Sequence, residues 1–402
     1  MRIVHVNKFL YRRGGAERYM FDVARALKRR RDDVFFFGTD HPANVERDFA
    51  RYYPPYRDFA APRVGLGAAL SAVWSRAAAA RVAAFVADVK PDVAHLHNIA
   101  YHLTPAVVAA LARAGVPAVM TLHDYNLLCP NHYFYSRDEP CFRCAEGKYF
   151  SCVTRRCVKG KLGASTIGYL AHLVARRTGA YRTLARVIVP SVFLADKVRA
   201  AGYDEARVRL LPPAIDIKAE ASGRKQNYFL YAGRLAPEKG VDVLIQAVGL
   251  AGPRVRLKVA GAGPEEPHLR RLASDYAVGK VEFLGYLTGR DLAREMASAR
   301  AVVVPSRWPE NTPAVILEAF AAGAAVVAAR IGGVPEMVDD GVEGMLFEPG
   351  DVRGLAERLD RLAGDGRLAR KLGAAGQGRL ARDFSFKDHM AQLLGIYREV
   401  AP

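Results

Sequence analysis

The sequence predicts an α/β protein made of two doubly wound parallel-sheet halves joined by a linker. Three observations carry that prediction. Short β-branched or apolar runs alternate with helical stretches at βαβ spacing. The alternation restarts after a polar, poorly periodic stretch at 214–226. A length of 402 residues exceeds what one ordinary core encloses and points to two domains. Two such sheets would open their carboxyl-end loops onto a cleft, the usual ligand position in this architecture.

In the first half, strands are expected at 2–7, 34–38, 93–96, 118–122, 184–189 and 208–211. Helices are expected near 16–28, 70–89 and 105–114, the second of these rich in alanine. In the second half, strands are expected at 228–232, 256–260, 281–284, 301–304, 325–329 and 345–347. Helices alternate with them near 241–248, 265–277 and 291–297, and fill most of the chain from Val352 onward. No repeat at solenoid periods and no low-complexity tract is present.

Composition narrows the class. Hydrophobic residues at 51% and charged residues at 25% suit a soluble globular protein. The opening MRIVHVN runs straight into a strand pattern rather than a leader, and no window of about 18 apolar residues would span a membrane. The formal charge of +18 is unevenly spread: residues 1–225 carry +17 and residues 226–402 carry +1. Arginine-rich composition explains a high total but not this asymmetry. A basic half beside a neutral half predicts an anionic partner: a membrane surface, an acidic or pyrophosphate-bearing substrate, or nucleic acid.

The stretch 302–323, VVVPSRWPENTPAVILEAFAAG, concentrates the chemistry. Three valines end at Pro305. Pro313 suits a first helical position with Thr312 as N-cap, and Gly323 suits a stop. Glu310 would then precede the helix, with Glu318 in its second turn. Free amides of Asn311, Thr312 and the first turn would make an anion site between the two carboxylates. The bland alternative is a strand–loop–helix unit with two surface glutamates.

Elsewhere, the loop 233–240, GRLAPEKG, carries Arg234 and Lys239, a planar fork and a mobile point charge able to converge on one diphosphate. Solvated surface cations are its plain alternative. Gly14-Gly15, at a helix start, permits close phosphate approach or simply makes a tight turn. His123, in His123-Asp124-Tyr125 after a strand, is placed to contact a substrate hydroxyl unless a backbone group satisfies it. All five cysteines lie in one segment. Cys141 and Cys144 are spaced like a zinc knuckle, and Cys152 and Cys157 follow, so the four could close one tetrahedral structural site with Cys129 left as a thiol. The same spacing admits another thiolate-bound metal, an iron–sulfur cluster, or unligated thiols.

Taken in order, these motifs resemble the retaining GT-B glycosyltransferases of family 4 over nearly the whole chain. The ordered set is Gly14-Gly15-Ala16-Glu17, the His123 loop, Gly233-Arg234-Leu235 with Glu238-Lys239-Gly240, Pro305-Ser306, Glu310 with Glu318, then 331–336 (IGGVPE) and 344–350 (GMLFEPG). The cysteine block resembles a subgroup linked to bacterial capsule, exopolysaccharide and lipopolysaccharide assembly. The resemblance implies a GT-B fold with an acceptor-side domain at 1–215 (cysteine-rich insertion at 129–160), a nucleotide-sugar domain at 226–382, and a C-terminal helix at 383–402 crossing back. It implies that Arg234 and Lys239 bind the donor diphosphate and that Glu318 binds the ribose hydroxyls. Glu310 would sit by the donor hexose with the Asn311 and Thr312 amides assisting. Gly14 and Gly15 would approach the phosphate, and His123 the sugar near the reacting carbon. Glu310, His123, Arg234 and Lys239 are the residues expected to carry the reaction.

The expected donor is a UDP- or GDP-sugar, with no catalytic metal and a structural zinc at the cysteines. The expected acceptor is a glycan or a lipid-pyrophosphate-linked sugar. The basic half would meet an anionic membrane at the cytoplasmic face, and no nucleic acid is expected. Arg307 and Pro309 depart from the family pattern beside Glu310, and 211–216 (LPPAID) lacks the usual Asn-Gly turn. A GT-B sugar-nucleotide epimerase is the nearest competing enzyme. A basic nucleic-acid binder competes from outside enzymology but lacks an aromatic stacking platform or recognition helix.

Overall fold

The structure is a computed structural model that describes residues 1–59, 65–217 and 225–401. Of the expected linker at 214–226, residues 218–224 lie outside the described residues. The chain forms two compact units. The first comprises 1–137, 141–212 and 387–402, and the second comprises 138–140 and 213–386.

The first unit is built on six parallel strands: β1 (Arg2–Val6), β2 (Asp33–Phe37), β3 (Val93–Leu96), β4 (Ala118–Thr121), β5 (Arg186–Val189) and β6 (Val208–Leu210). Their spatial order is β2-β1-β3-β4-β5-β6, so the winding reverses between β1 and β3. Helix α1 (Gly15–Arg29) follows β1, buries Tyr19, Met20, Val23 and Leu27, and keeps Lys28 and Arg29 in its last turn, where they complement the helix dipole. The alanine-rich stretch expected as one helix at 70–89 is two, α2 (Leu66–Val73) and α3 (Arg76–Val89). The break is chemical: the Ser75 hydroxyl accepts from Ala78 N and caps α3, while Ser75 N donates to Thr104 Oγ1 at 2.9 Å. Next come α4 (Pro105–Arg113), the short α5 (Ser151–Thr154), α6 (Leu162–Thr178) and α7 (Val192–Ala200).

The second unit also has six parallel strands: β7 (Phe229–Ala232), β8 (Leu257–Ala260), β9 (Val281–Gly285), β10 (Ala301–Val304), β11 (Ala325–Ala329) and β12 (Gly344–Phe347). Their order is β9-β8-β7-β10-β11-β12, the dinucleotide-fold winding with its reversal between β7 and β10. Helices α8 (Val241–Leu250), α9 (Glu266–Tyr276), α10 (Gly289–Ser298), α11 (Ala314–Ala321), α12 (Val334–Met337), α13 (Val352–Gly364) and α14 (Gly366–Asp383) flank the sheet. Apolar clusters cover both of its faces. Phe229, Val303 and Val327 belong to one cluster, while Leu230, Val302 and Val326 belong to the other, the period-2 alternation of a doubly covered strand. The final helix, α15 (Phe386–Val400), lies almost wholly in the first unit, where His389 and Tyr397 are buried.

Candidate active site

In the second unit the strand order reverses between β7 and β10, and the loops leaving these two strands carry the expected cations and carboxylates. Ligands in open α/β sheets bind at such a reversal. From β7 the chain enters 233–240, and from β10 it enters 305–313. The two loops are bonded to each other: Glu238 O accepts from Arg307 N at 3.0 Å and from Trp308 N at 3.3 Å. Gly240 has φ +66°, and a Cβ there would lie 2.0 Å from Pro305 O, so only glycine lets the loops close this far.

Lys239 Nζ donates to Glu310 Oε1 at 2.7 Å, and Ser306 Oγ donates to the same oxygen at 2.6 Å. Glu310 is buried at 4% exposure, and Lys239 also sits 4.9 Å over the Trp308 ring. A buried carboxylate needs such partners, because desolvation without them costs several kcal/mol, on the order of 3–5. The backbone around Glu310 is fixed as well, since Gly333 N donates to Glu310 O at 2.7 Å. Arg234 pairs with Glu238 on its own loop. Both expected diphosphate cations are thus held by carboxylates, one local and one from the β10 loop.

One expectation for this stretch is corrected. Helix α11 starts at Ala314 with Pro313, not Thr312, at the cap position. Proline has no N–H, so the first donors belong to Ala314 and its successors, and Ile316 N already reaches back to Pro313 O at 3.0 Å. Arg307, an unassigned charge in the sequence, has a partner in Asp242 of α8. Asn311 is buried beside Glu310, Thr312 is half-buried, and Glu318 lies half-buried in the second turn of α11.

In the first unit, Gly14 caps α1 and Gly15 begins it. Nothing lies within 4 Å of a Cβ built on Gly15, whereas one on Gly14 would meet Glu17 Oε2 at 3.6 Å. Beneath them Glu17 is buried and accepts from Asn7 Nδ2 at 3.2 Å. Lys8, which the sequence reading missed, follows β1 at once. Burial draws its pKa down while Asp124 and Glu17 pull it back up. Its visible signal was a lone lysine at the carboxyl end of a strand.

His123 follows β4 and is bonded into a row of rings. His97 Nδ1 lies 2.9 Å from His123 Nε2, and His97 Nε2 lies 3.1 Å from His5 Nδ1. The sheet register produces this row: His5 of β1 pairs with His95 of β3, and His97 lies two residues on, on the same face. Ligand atoms of His5, His95 and His97 lie within 4.8 Å of one another. His95 is engaged separately, Nδ1 with Tyr397 Oη at 2.6 Å and Nε2 with Thr121 Oγ1 at 2.7 Å. His389 Nδ1 donates to Pro212 O at 2.8 Å, so its Nε2 accepts from the Tyr19 hydroxyl at 2.8 Å. Burial lowers His5 to about 3 and both His123 and His389 to about 4, so these rings are neutral at ordinary pH. Asp124 beside His123 is pushed up by burial, but His132, Lys8 and Asn126 N outweigh that and bring it to about 2.

The cysteines lie in the first unit. Cys129, Cys144 and Cys152 are buried, and Cys141 and Cys157 are partly so. Cys157 is drawn down to about 6 by its bond with Cys152 and by Ser136 Oγ at 3.3 Å, and Cys152 is raised correspondingly. Cys144 is raised by burial and by the charges of Cys157 and Cys141. Among the described residues no three of their sulfurs come within the spacing that the histidine trio meets.

Comparison with known proteins fits this geometry. Residues 214–379 match the family described as Glycosyl transferases group 1, and residues 13–219 match Glycosyltransferase Family 4. D-inositol 3-phosphate glycosyltransferase of Saccharomonospora viridis is 34% identical over 224 residues, covering 49% of this chain and 52% of that protein. GDP-mannose-dependent monoacylated alpha-(1-6)-phosphatidylinositol monomannoside mannosyltransferase of Corynebacterium glutamicum is 37% identical over 163 residues, covering 38% of this chain and 42% of that protein. The matches thus span about half the length of these relatives. Among solved structures, Anabaena Alr3699/HepE in complex with UDP superposes with a TM-score of 0.70 at 22% identity, covering 99% of this chain and 100% of that one. That likeness is one of fold, the GT-B fold. With the Family 4 match alone spanning more than half of its residues, the chain belongs to glycosyltransferase family 4.

Proposed function

We propose that the protein is a retaining glycosyltransferase that moves a hexosyl group from a nucleotide-diphosphate sugar to a glycan or lipid-linked acceptor in bacterial surface-polysaccharide synthesis. The observation that carries this reading is the Lys239–Glu310 pair at the strand reversal of the second unit, with Arg234 on the same loop. Arg234 and Lys239 exchange their carboxylate partners for the donor diphosphate. Glu310 then faces the hexose, Glu318 takes the ribose hydroxyls, and the Asn311–Thr312 backbone assists the phosphates. From the first unit, Gly14 and Gly15 serve the phosphate and His123 a sugar hydroxyl. In the reaction the sugar carbon leaves the diphosphate oxygen, which departs with the bonding pair, and bonds the acceptor oxygen, whose proton passes to the departing diphosphate or to water. Stabilising the departing charge is the dominant task, so the cations matter most. No catalytic metal is expected at that step.

A UDP- or GDP-sugar is the donor class. HepE was solved with UDP, and the Corynebacterium relative is named for GDP-mannose. The test is turnover against a nucleotide-sugar panel. Lys239→Ala and Arg234→Ala each lower kcat/KM about a hundredfold or more, on the scale of removing one transition-state donor. Unchanged turnover in both sinks the reading, and a C-epimerised nucleotide sugar without acceptor favours the epimerase instead.

Two further parts of the proposal concern the first unit. Leu66 and Leu70 of α2, Phe150 and Leu162 are exposed, as are Lys148, Lys159 and Lys161, and α2 and α5 both pack against α6. Exposed apolar and lysine side chains in a basic unit suit an anionic bilayer, and this supports the proposal that the enzyme works at the cytoplasmic face of the membrane. Among the described residues no single helix is long and apolar enough to cross a membrane. Co-sedimentation with anionic but not neutral vesicles, lost in Leu66→Glu/Leu70→Glu, supports this placement. No co-sedimentation with either overturns it. The sequence spacing of Cys141, Cys144, Cys152 and Cys157 proposes a structural zinc site; these thiols feel one another's charge, but among the described residues no three of their sulfurs are gathered, so a zinc would have to draw them together. Zinc would replace that repulsion with four thiolate bonds. Metal analysis finding less than about half an equivalent removes it.

A further inference from the structure

The row of imidazoles behind His123 is used by nothing proposed so far. We infer that His97 and His5 are positioning residues that fix the tautomer of His123, so that its Nδ1 carries the proton and points a donor outward while Nε2 accepts from His97. The inference rests on the proposed role of His123 at the sugar.

The number of protons in the row is fixed. Three neutral rings are joined by two hydrogen bonds, at 3.1 Å and 2.9 Å. A neutral imidazole donates from one nitrogen and accepts at the other, so the row has only two senses. In one sense the protons point toward His123; in the other they point toward His5. The far end decides between them. His5 is fully buried, and its Nε2 has no hydrogen-bond partner. An orphaned buried N–H is a rarer and costlier defect than a buried lone pair left unmatched. His5 therefore carries its proton on Nδ1 and leaves a bare lone pair at Nε2. It donates to His97 Nε2, so His97 holds its proton on Nδ1 and donates to His123 Nε2. His123, half-buried after β4, is left with its proton on Nδ1. Burial keeps His5 and His97 neutral, so the count holds at physiological pH.

The consequence is chemical. His123 meets its ligand as a hydrogen-bond donor and not as a base. It suits an oxygen that accepts, such as a sugar hydroxyl or a departing oxygen, and it does not abstract a proton. His95 takes no part in setting this sense, since both its nitrogens are engaged by Tyr397 and Thr121.

The test is nitrogen NMR of the full-length protein labelled with ¹⁵N-histidine, without any donor present. Two-bond proton–nitrogen spectra identify the tautomer of each ring. The expected wild-type result is Nδ1–H for His123, His97 and His5. Nε2–H on His123 overturns the inference outright, whatever the enzyme turns over. His97→Leu is expected to release His123 into a mixture of tautomers and to lower kcat about tenfold with KM moved far less. His97→Asn, whose side-chain amide can still donate to His123, is expected to restore both spectrum and kcat. A His123 signal unchanged in His97→Leu overturns the inference. So does a His97→Asn variant that folds but behaves like His97→Leu. Should His97→Leu not fold, the wild-type spectrum and His97→Asn decide. Absence of sugar transfer with a correct tautomer would instead count against the proposed function alone.

Discussion

The two sheets are alike in strand number and direction, but they treat polar groups in opposite ways. In the second unit the strands are apolar apart from Lys258 and Glu282, and both faces are covered by hydrophobic clusters. The charges of its candidate site sit on the loops at the strand reversal, where Lys239 meets Glu310. In the first unit polar groups enter the sheet itself. His5, His95 and Thr121 stand on strands and are buried, and nine of the ten histidines belong to this unit. One unit is an apolar frame that carries a charged rim, and the other is a frame with a polar interior. The first design localises function in loops. The second ties loop chemistry to the core through hydrogen bonds that must all be satisfied together.

The largest effect is expected where the apolar frame meets its rim. Gly332 has φ +60°, and a Cβ there would lie 2.1 Å from Glu310 O. Gly332→Ala must therefore strain the backbone and push the Glu310 loop. We expect a loss of about 3 kcal/mol or more, with turnover lost alongside. Gly15→Ala in the first unit is the matched control. Its Cβ meets nothing, so stability should stay within about 0.5 kcal/mol while donor affinity falls if phosphate comes as close as proposed. Denaturant unfolding and donor titration of both variants separate the cases. Equal losses of stability in the two would break the contrast.

The next effect probes the polar interior. His389 is 5% exposed, and its folded-state pKa is about 4 against an ordinary 6.5. The unfolded chain therefore takes up the proton first as pH falls. Stability is intact above about 6.5, and from His389 alone about 2 kcal/mol is gone at pH 5. His123, also at about 4, and His5, at about 3, add to the same window, coupled rather than independent. Hydrogen exchange followed between pH 7.5 and 5 should show protection lost first in β1, β3 and α15. The second unit has one histidine, His268, on its surface, and should hold. Loss of protection in both units together would show that the polar interior is not the weak point.

How much of this was legible in the sequence follows the same division. Strands of the apolar frame are short β-branched runs between turn signals, so 301–304 and 325–329 were read with their boundaries intact. Helix ends were read less well. The break at Trp74–Ser75 carried a serine cap signal that the run of alanines masked. Helices α6 and α7 were passed over, α6 with Gly163 and Gly168 interrupting its apolar period. Residue types at the candidate site were visible because they sit in loops with glycines and prolines around them. Their pairings were not: Lys239 and Glu310 are 71 residues apart, and His5 and His97 are 92 apart. Such contacts depend on strand register, which a period-2 pattern does not reveal across sequence distance. Arg307 was visible only as a departure from the family pattern, and its role was not read because its partner, Asp242, lies in a different helix.

That last pair gives the smallest expected effect. Arg307 and Asp242 have side chains 27% and 23% exposed, so solvent screens their attraction. Removing the arginine also does not strand the aspartate. Asp242 lies in the first turn of α8, where the free amides and the helix dipole already favour a negative charge. The link between the two loops survives too, because it runs through the Arg307 backbone N–H to Glu238 O. Arg307→Ala should therefore cost about 0.5 kcal/mol, and a double-mutant cycle with Asp242→Ala should return a coupling of similar size. A change in donor affinity much beyond twofold would mean that Arg307 reaches the ligand. The charged rim of the second unit would then extend past Lys239 and Arg234, and the contrast with the first unit would sharpen rather than fail.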